Sequence, residues 1–267
     1  MEISQIIGYV LAVFVGMTLG MLGSGGSILS VPILVYVMSI EPTLATAYSL
    51  FVIGTTSLVG GLHKAKQKLV DFNKVFLFGV PAVISVFITR KFIVPRIPDS
   101  IFSIENFILT KSILIMVVFA FVMIFASVRM IKPLKEKIII DGVKLNYYKI
   151  AILGILIGLL SGFVGAGGGF LIVPTLLFFA KTPMKMAIGT SLFIVSLQSL
   201  IGFLGDILRH QIIDWKLLFF FTLASIVGIF IGNFISKKVE DEKLKTSFGW
   251  FVLAMGIYII IRELFWS

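Results

Sequence analysis

Apolar runs of 18 or more residues recur along this 267-residue chain. Long apolar runs read as membrane-spanning helices, since only helices and closed barrels satisfy their own backbone in hydrocarbon. The expected fold class is therefore an all-α polytopic membrane protein. Only 13% of the residues are charged and the mean hydropathy is +1.11, whereas soluble domains carry about a quarter charged residues. The net charge of +10 does not point to nucleic acid. Lys and Arg gather in short loops between the runs, where membrane topology accounts for them. The chain contains no cysteine, which excludes disulfides and thiolate metal sites. It shows no metal-ligand cluster, and no cofactor is expected. The first run follows Met1-Glu2-Ile3-Ser4 with no basic region and no small-residue cleavage site. It reads as a retained helix rather than a signal peptide.

Apolar segments are expected near 5–22, 28–40, 43–62, 72–94, 107–128, 150–164, 169–180, 185–205, 216–235 and 246–261. The polar stretch 129–149, with Arg129, Lys132, Lys135, Lys137, Lys144 and Lys149, divides them into two groups of five. This gives a first repeat at 1–128, a basic cytoplasmic linker at 129–149 and a second repeat at 150–267. Residues 16–60 match 158–202 without a gap at 16 of 45 positions. Shared membrane composition explains chance matches of Leu or Val. It does not explain aligned Gly16/Gly158, Gly20/Gly162, Gly23/Gly165, Gly25/Gly167, Gly26/Gly168, Pro32/Pro174 and Ser49/Ser191. With one inserted residue, Asp71-Phe72 aligns with Asp214-Trp215. Five segments per repeat is an odd number, so the second repeat is expected to be inverted. With both termini outside the cell (inner) membrane, 16 of the 23 basic residues fall inside. The other seven, Arg90 among them, fall outside. Parallel four-span repeats would give only 13 to 10, so the positive-inside rule favours inversion.

GSGGSILSVP at 23–32 and GAGGGFLIVP at 165–174 place helix-breaking glycines deep in apolar sequence. The segments after them are short. Residues 28–40 would make a helix of roughly 20 Å, against a hydrocarbon core of about 30 Å. Each motif is expected to be the tip of a helical hairpin near the midplane, exposing the first N–H groups of a returning half-helix. Such N–H groups, with the helix dipole, bind anions. Candidate binding residues are Ser24, Gly25, Gly26 and Ser27 in one copy and Gly167, Gly168 and Gly169 in the other. Gly16, Gly20, Gly158 and Gly162 fit close helix packing instead. No Gly-Lys-Ser/Thr follows either cluster, so neither is a phosphate-cradling loop.

Ser49, Thr190, Ser191 and Gln198 add side-chain donors that bind an anion without a buried charge. Against this, Ser and Thr commonly bond their own helix carbonyls. No ionisable residue lies near the centre of an expected segment, which argues against a cation transporter. Glu41, His63, Asp206, Arg209 and His210 sit at segment ends and are expected to be interfacial. Asp71 and Asp214 are expected helix N-caps. A non-enzymatic protein is expected. Ser24 is a conceivable protease nucleophile, but neither histidine lies mid-span and the second copy has Ala166 at that place.

GMLGSGGSILSVPIL at 20–34 and GFVGAGGGFLIVPTL at 162–176 resemble the sulfite exporter TauE/SafE family, also called the toluene sulfonate uptake permease family. Residues 45–51 and 187–193 support the resemblance. It implies a secondary transporter, an exporter by preference, of small sulfur-containing anions such as sulfite, thiosulfate or organosulfonates. The implied partners are that anion and the lipid bilayer; a homo-oligomer is compatible with this reading. An anion channel and a non-transporting membrane scaffold are the alternatives.

Overall fold

The computed structural model of the chain describes residues 3–104, 107–131, 147–207, 213–236 and 241–265. Ten helical elements carry the fold. The first five are α1 (Ile3–Leu22), a short irregular α2, α3 (Pro42–Lys66), α4 (Phe72–Arg96) and α5 (Lys111–Ile131). The second five are α6 (Tyr147–Val164), α7 (Gly169–Phe178), α8 (Met184–Ile207), α9 (Trp215–Ile235) and α10 (Asp241–Phe265). Among the described residues six helices are long and apolar enough to cross a membrane: α1, α3, α4, α5, α8 and α9. The chain is a multi-pass, all-α membrane protein.

The short α2 departs from a plain helix. A 3₁₀ stretch, Gly23–Leu29, leads into a single α turn, Ser30–Pro32, and then a π turn, Ile33–Val37. Proline lacks the N–H that would continue the ladder, and the hydrogen-bond spacing changes directly after Pro32. The C-terminal end of α4 is also irregular, with a π turn at Thr89–Ile93.

One expectation is corrected. Residues 107–110, assigned from sequence to the start of a helix, form a strand. β1 (Ser100–Ile104) pairs antiparallel with β2 (Phe107–Thr110), and α5 begins only at Lys111. The aromatic and β-branched residues of SIFSI and FILT suit a strand as well as an apolar helix. Of the linker read at 129–149, residues 132–146 lie outside the described residues, as do Arg209 and His210, while 129–131 end α5 and 147–149 begin α6.

The packing follows the duplication. The chief partners are α1 on α9, α4 on α6, α3 on α8 and α5 on α10, followed by α4 on α8 and α9 on α3. Exchanging the halves interconverts α1/α9 with α6/α4, and α4/α8 with α9/α3; the other two pairs map onto themselves. Individual residues obey the same exchange. A side chain on Gly16 would strike the Ser225 carbonyl, and one on Gly158 the Ala82 carbonyl. Gly20 faces Ile229 and Gly232, and Gly162 faces Val86 and Thr89. Gly60 meets Ile229 and Leu192, and Gly202 meets Val86 and Leu50. Each pair is related by the sequence offset of 142, or of 143 beyond the insertion. The packing role read for Gly16, Gly20, Gly158 and Gly162 is what the backbone contacts display. Lipid tails are as apolar as leucine, so close backbone contact rather than water exclusion holds such helices together.

The central helices α3 and α8 are the most enclosed. Along the apolar stretch of each, 72% of the residues are buried, against 39–44% for the other four spans. The tips of the glycine motifs pack onto this central pair.

Candidate functional site

Each hairpin tip turns on a left-handed glycine. Gly23 and Gly165, which are repeat equivalents, have φ of +70° and +75°; Gly167 and Gly168 have +66° and +61°. A side chain in that conformation costs roughly 1–2 kcal/mol. Gly168 forms the N-cap of α7, and its carbonyl accepts from the N–H groups of Leu171 (3.0 Å) and Ile172 (3.3 Å). Among the described residues the N–H groups of Gly167 and Gly168 make no hydrogen bond. The two tips meet: α7 packs on the 3₁₀ stretch Gly23–Leu29, and both pack on α8. Gly25 and Gly26 lie in that stretch. The Ser24 side chain lies outside the described residues.

Gly167 sits between the middles of α3 and α8. A side chain there would meet Ser199 Oγ at 2.8 Å, Ile53 at 3.1 Å and Val195 at 3.2 Å. The Gln198 amide Nε2 donates to the Gly167 carbonyl and lies 3.4 Å from Ser161 Oγ, tying α8 to the tip. On α3 and α8 four buried polar atoms have no hydrogen-bond partner among the described residues: Thr56 Oγ1, Ser57 Oγ, Gln198 Oε1 and Ser199 Oγ. They form two repeat-related pairs, Thr56 with Gln198 and Ser57 with Ser199. Buried polar groups are nearly always bonded, so a symmetric set left unpaired marks a place for a ligand or water.

The other expected donors are used within the fold. Ser49 Oγ lies 2.5 Å from Ser30 Oγ, whose own bond runs to the Ser27 carbonyl at 3.1 Å. Ser191 donates to its own helix at Ile188 O, 2.8 Å away. Thr190 Oγ1 accepts from the Asp71 N–H at 3.0 Å. Its repeat equivalent Tyr48 accepts from the Asp214 N–H at 2.7 Å. Asp71 and Asp214 are N-caps, accepting from the N–H groups of Lys74 (3.3 Å) and Leu217 (3.0 Å). Gly169 opens α7, and both Gly169 and Ser27 are buried at the tips. The structure thus gathers Gly167, Gly168 and Gln198 with Ser199 and Ser161. It sets Thr190 at a helix-capping joint.

Asp206, expected at the interface, lies at the end of α8 in a buried ion pair that the sequence did not announce. Arg90 is fully buried and Asp206 is 5% exposed. Arg90 Nη1 lies 3.3 Å from Asp206 Oδ2 and donates to Thr46 Oγ1 at 3.0 Å. The pair borders the second tip: a side chain on Gly165 would strike Thr46 and approach Arg90 Nη2 to 2.6 Å. Arg90 counts by sequence among the basic residues outside the membrane, four residues before the expected end of its segment at 94; the structure instead buries it on the π turn of α4 against α8. Among the described residues no group of three or more His, Asp or Glu is placed to hold a metal ion.

The sulfite exporter TauE/SafE family model matches residues 9–259. A probable membrane transporter protein of Xylella fastidiosa (strain 9a5c) is 30% identical over 257 residues, covering 93% of this chain and 92% of its own. Probable membrane transporter protein YunE of Bacillus subtilis (strain 168) is 25% identical, covering 98% and 99%. No solved structure matches the chain. With these likenesses laid over the duplicated helices and paired glycine hairpins, the chain belongs to the sulfite exporter TauE/SafE family of membrane transporters.

Proposed function

We propose that the protein carries a small sulfur oxyanion or organosulfonate across the cell membrane, in the direction of export, by alternating access between two inverted repeats with both termini outside. The observation that carries this reading is the symmetric set of unpaired buried groups at Thr56, Ser57, Gln198 and Ser199 on α3 and α8, of which Gln198 and Ser199 reach the Gly167 tip. Three of the four are hydroxyls, which donate to an anion without a buried cation that must be desolvated when the site is empty. The tip contributes the Gly167 and Gly168 N–H groups at the start of α7, where the helix dipole favours negative charge. Hydrogen bonds to a charged group stabilise by about 1.5–3 kcal/mol each, so a few such bonds give a transport site that binds and still releases.

The test is counterflow of labelled sulfite, thiosulfate or methanesulfonate in proteoliposomes. Saturable exchange is expected, and Ser199→Ala is expected to lower it about tenfold or more by loss of one bond to charge. Its thermal stability should stay near wild type, because that hydroxyl has no partner among the described residues. Single-channel conductance, or the absence of saturable counterflow with all three anions, would overturn the reading.

A further inference from the structure

We propose that Arg90 forms a second anion subsite at the Gly165 end of the transport path, with Asp206 as the placeholder that occupies it when no anion is bound. The inference rests on the anion-transport reading above and deepens it. A guanidinium offers five donors in a planar fork that matches a sulfonate or sulfite oxygen pair, which a lysine ammonium does not. Arg90 is fully buried, and three elements converge on it: Asp206 from α8, Thr46 from α3 and the Gly165 tip. It stands on the π turn of α4. Such turns are rare in helices and occur often at functional sites.

Position links this subsite to the central one. Asp206 follows Ser199 on α8 by seven residues, and Thr46 precedes Ile53 on α3 by seven. At 1.5 Å per residue each interval is about 10 Å, two turns along the same pair of helices. An anion at Arg90 is therefore one short step from the hydroxyl set. Asp206 is next to the last residue of α8, so exchange leaves its carboxylate at a helix end rather than mid-span.

The opposite end lacks this chemistry. By the repeat offset, Asn233 stands where Arg90 does, Lys64 where Asp206 does, and Ile188 where Thr46 does. Asn233 is buried, and its amide nitrogen and oxygen have no partner among the described residues. A pair needed only to hold the fold together has no reason to border one glycine tip and not its equivalent.

The sign of one effect separates the subsite from a purely structural pair. Methanesulfonate binding to the purified full-length protein would be measured by calorimetry, with chloride as control. Asp206→Asn removes the competitor, and binding is expected to tighten about tenfold. A structural pair would instead lose stability with no gain in affinity. Arg90→Gln combined with Asp206→Asn removes both charges together, so no unpaired charge stays buried and the variant folds. It is expected to bind methanesulfonate at least tenfold more weakly than wild type. Unchanged or weaker binding in Asp206→Asn, or wild-type binding in the double variant, overturns the proposal. If wild type itself shows no saturable binding, the transport reading fails rather than the subsite alone.

Discussion

The two glycine tips share a left-handed first glycine and differ in what that glycine touches. Gly165 turns against Thr46 and the Arg90 guanidinium, whereas Gly23 turns against the apolar Ile188. Both glycines are left-handed and both are reached by the equivalent residue of the other half. The duplication therefore fixes where the chain bends and what approaches the bend. Side chains, together with the 3₁₀ winding after Gly23 where the second tip starts an α-helix at Gly169, make the two ends unlike. In a scaffold whose halves exchange so closely, differences between the two tips gather at positions such as 46/188, 64/206 and 90/233.

The largest effect that would break or sharpen this contrast lies at the tips. Gly165→Ala combines a left-handed side chain with a clash against Thr46 and Arg90, and is expected to cost about 3 kcal/mol or more. Gly23→Ala meets only Ile188, at 3.0 Å or more, and is expected to cost about 1–2 kcal/mol. Denaturant unfolding of the purified variants measures both. Equal losses would mean that the two surroundings matter less than the shared backbone.

A smaller effect tests where the halves agree. Tyr48→Phe and Thr190→Val each remove the acceptor for one Asp N–H at equivalent joints. Each is expected to cost about 1 kcal/mol, and the losses should match more closely than those at the glycines. A large disparity would show that the capping joints have diverged too.

The smallest effect belongs to Glu41, the N-cap of α3, which has no acidic counterpart at Thr182 or Pro183. Partial burial acts to raise its carboxyl, but bonds from Ser112, Thr43 and the Leu44 N–H outweigh it and hold the group below its ordinary value of 4.5. A depressed carboxyl stabilises the fold above that ordinary value, and the benefit fades as pH falls through the folded-state value. Glu41→Gln is thus expected to be less stable than wild type near neutrality, by at most about 0.5 kcal/mol for a solvent-exposed group. The difference should vanish in acid. A thermal melt series against pH would detect it, and a gap that persists in acid would contradict the charge argument.

Most of the architecture was legible because it is written in residue types that membranes do not favour by chance. Paired Gly, Pro and Asp announce the repeat, the hairpin tips and the two N-caps before any coordinates. Gln198 stood out because an amide is rare in such sequence, and it does reach the tip. The hydroxyls were harder. Ser49, Ser191, Ser57 and Ser199 look alike in sequence, and only helix rotation separates those bonded locally from those left unpaired. Ser57 and Ser199 are repeat equivalents just as Ser49 and Ser191 are, and nothing in the one-dimensional pattern ranks one pair above the other. The Arg90–Asp206 pair was missed for a different reason. Each residue lies near the end of an apolar run, and a charge there reads as interfacial. Only the crossing of α4 on α8 brings the two together away from lipid. The β hairpin was hidden because Phe, Ile and Leu serve a strand as readily as a helix.

The strongest helix partnerships join opposite halves: α1 with α9 and α4 with α6 meet backbone to backbone through glycines that admit no intervening side chain. Each duplicated half thus keeps its nearest neighbours in its twin, like the fingers of two clasped hands. Any rocking motion of this protein must move composite bodies, each drawn from both copies. The unit that evolution copied is thus not a unit that packs by itself.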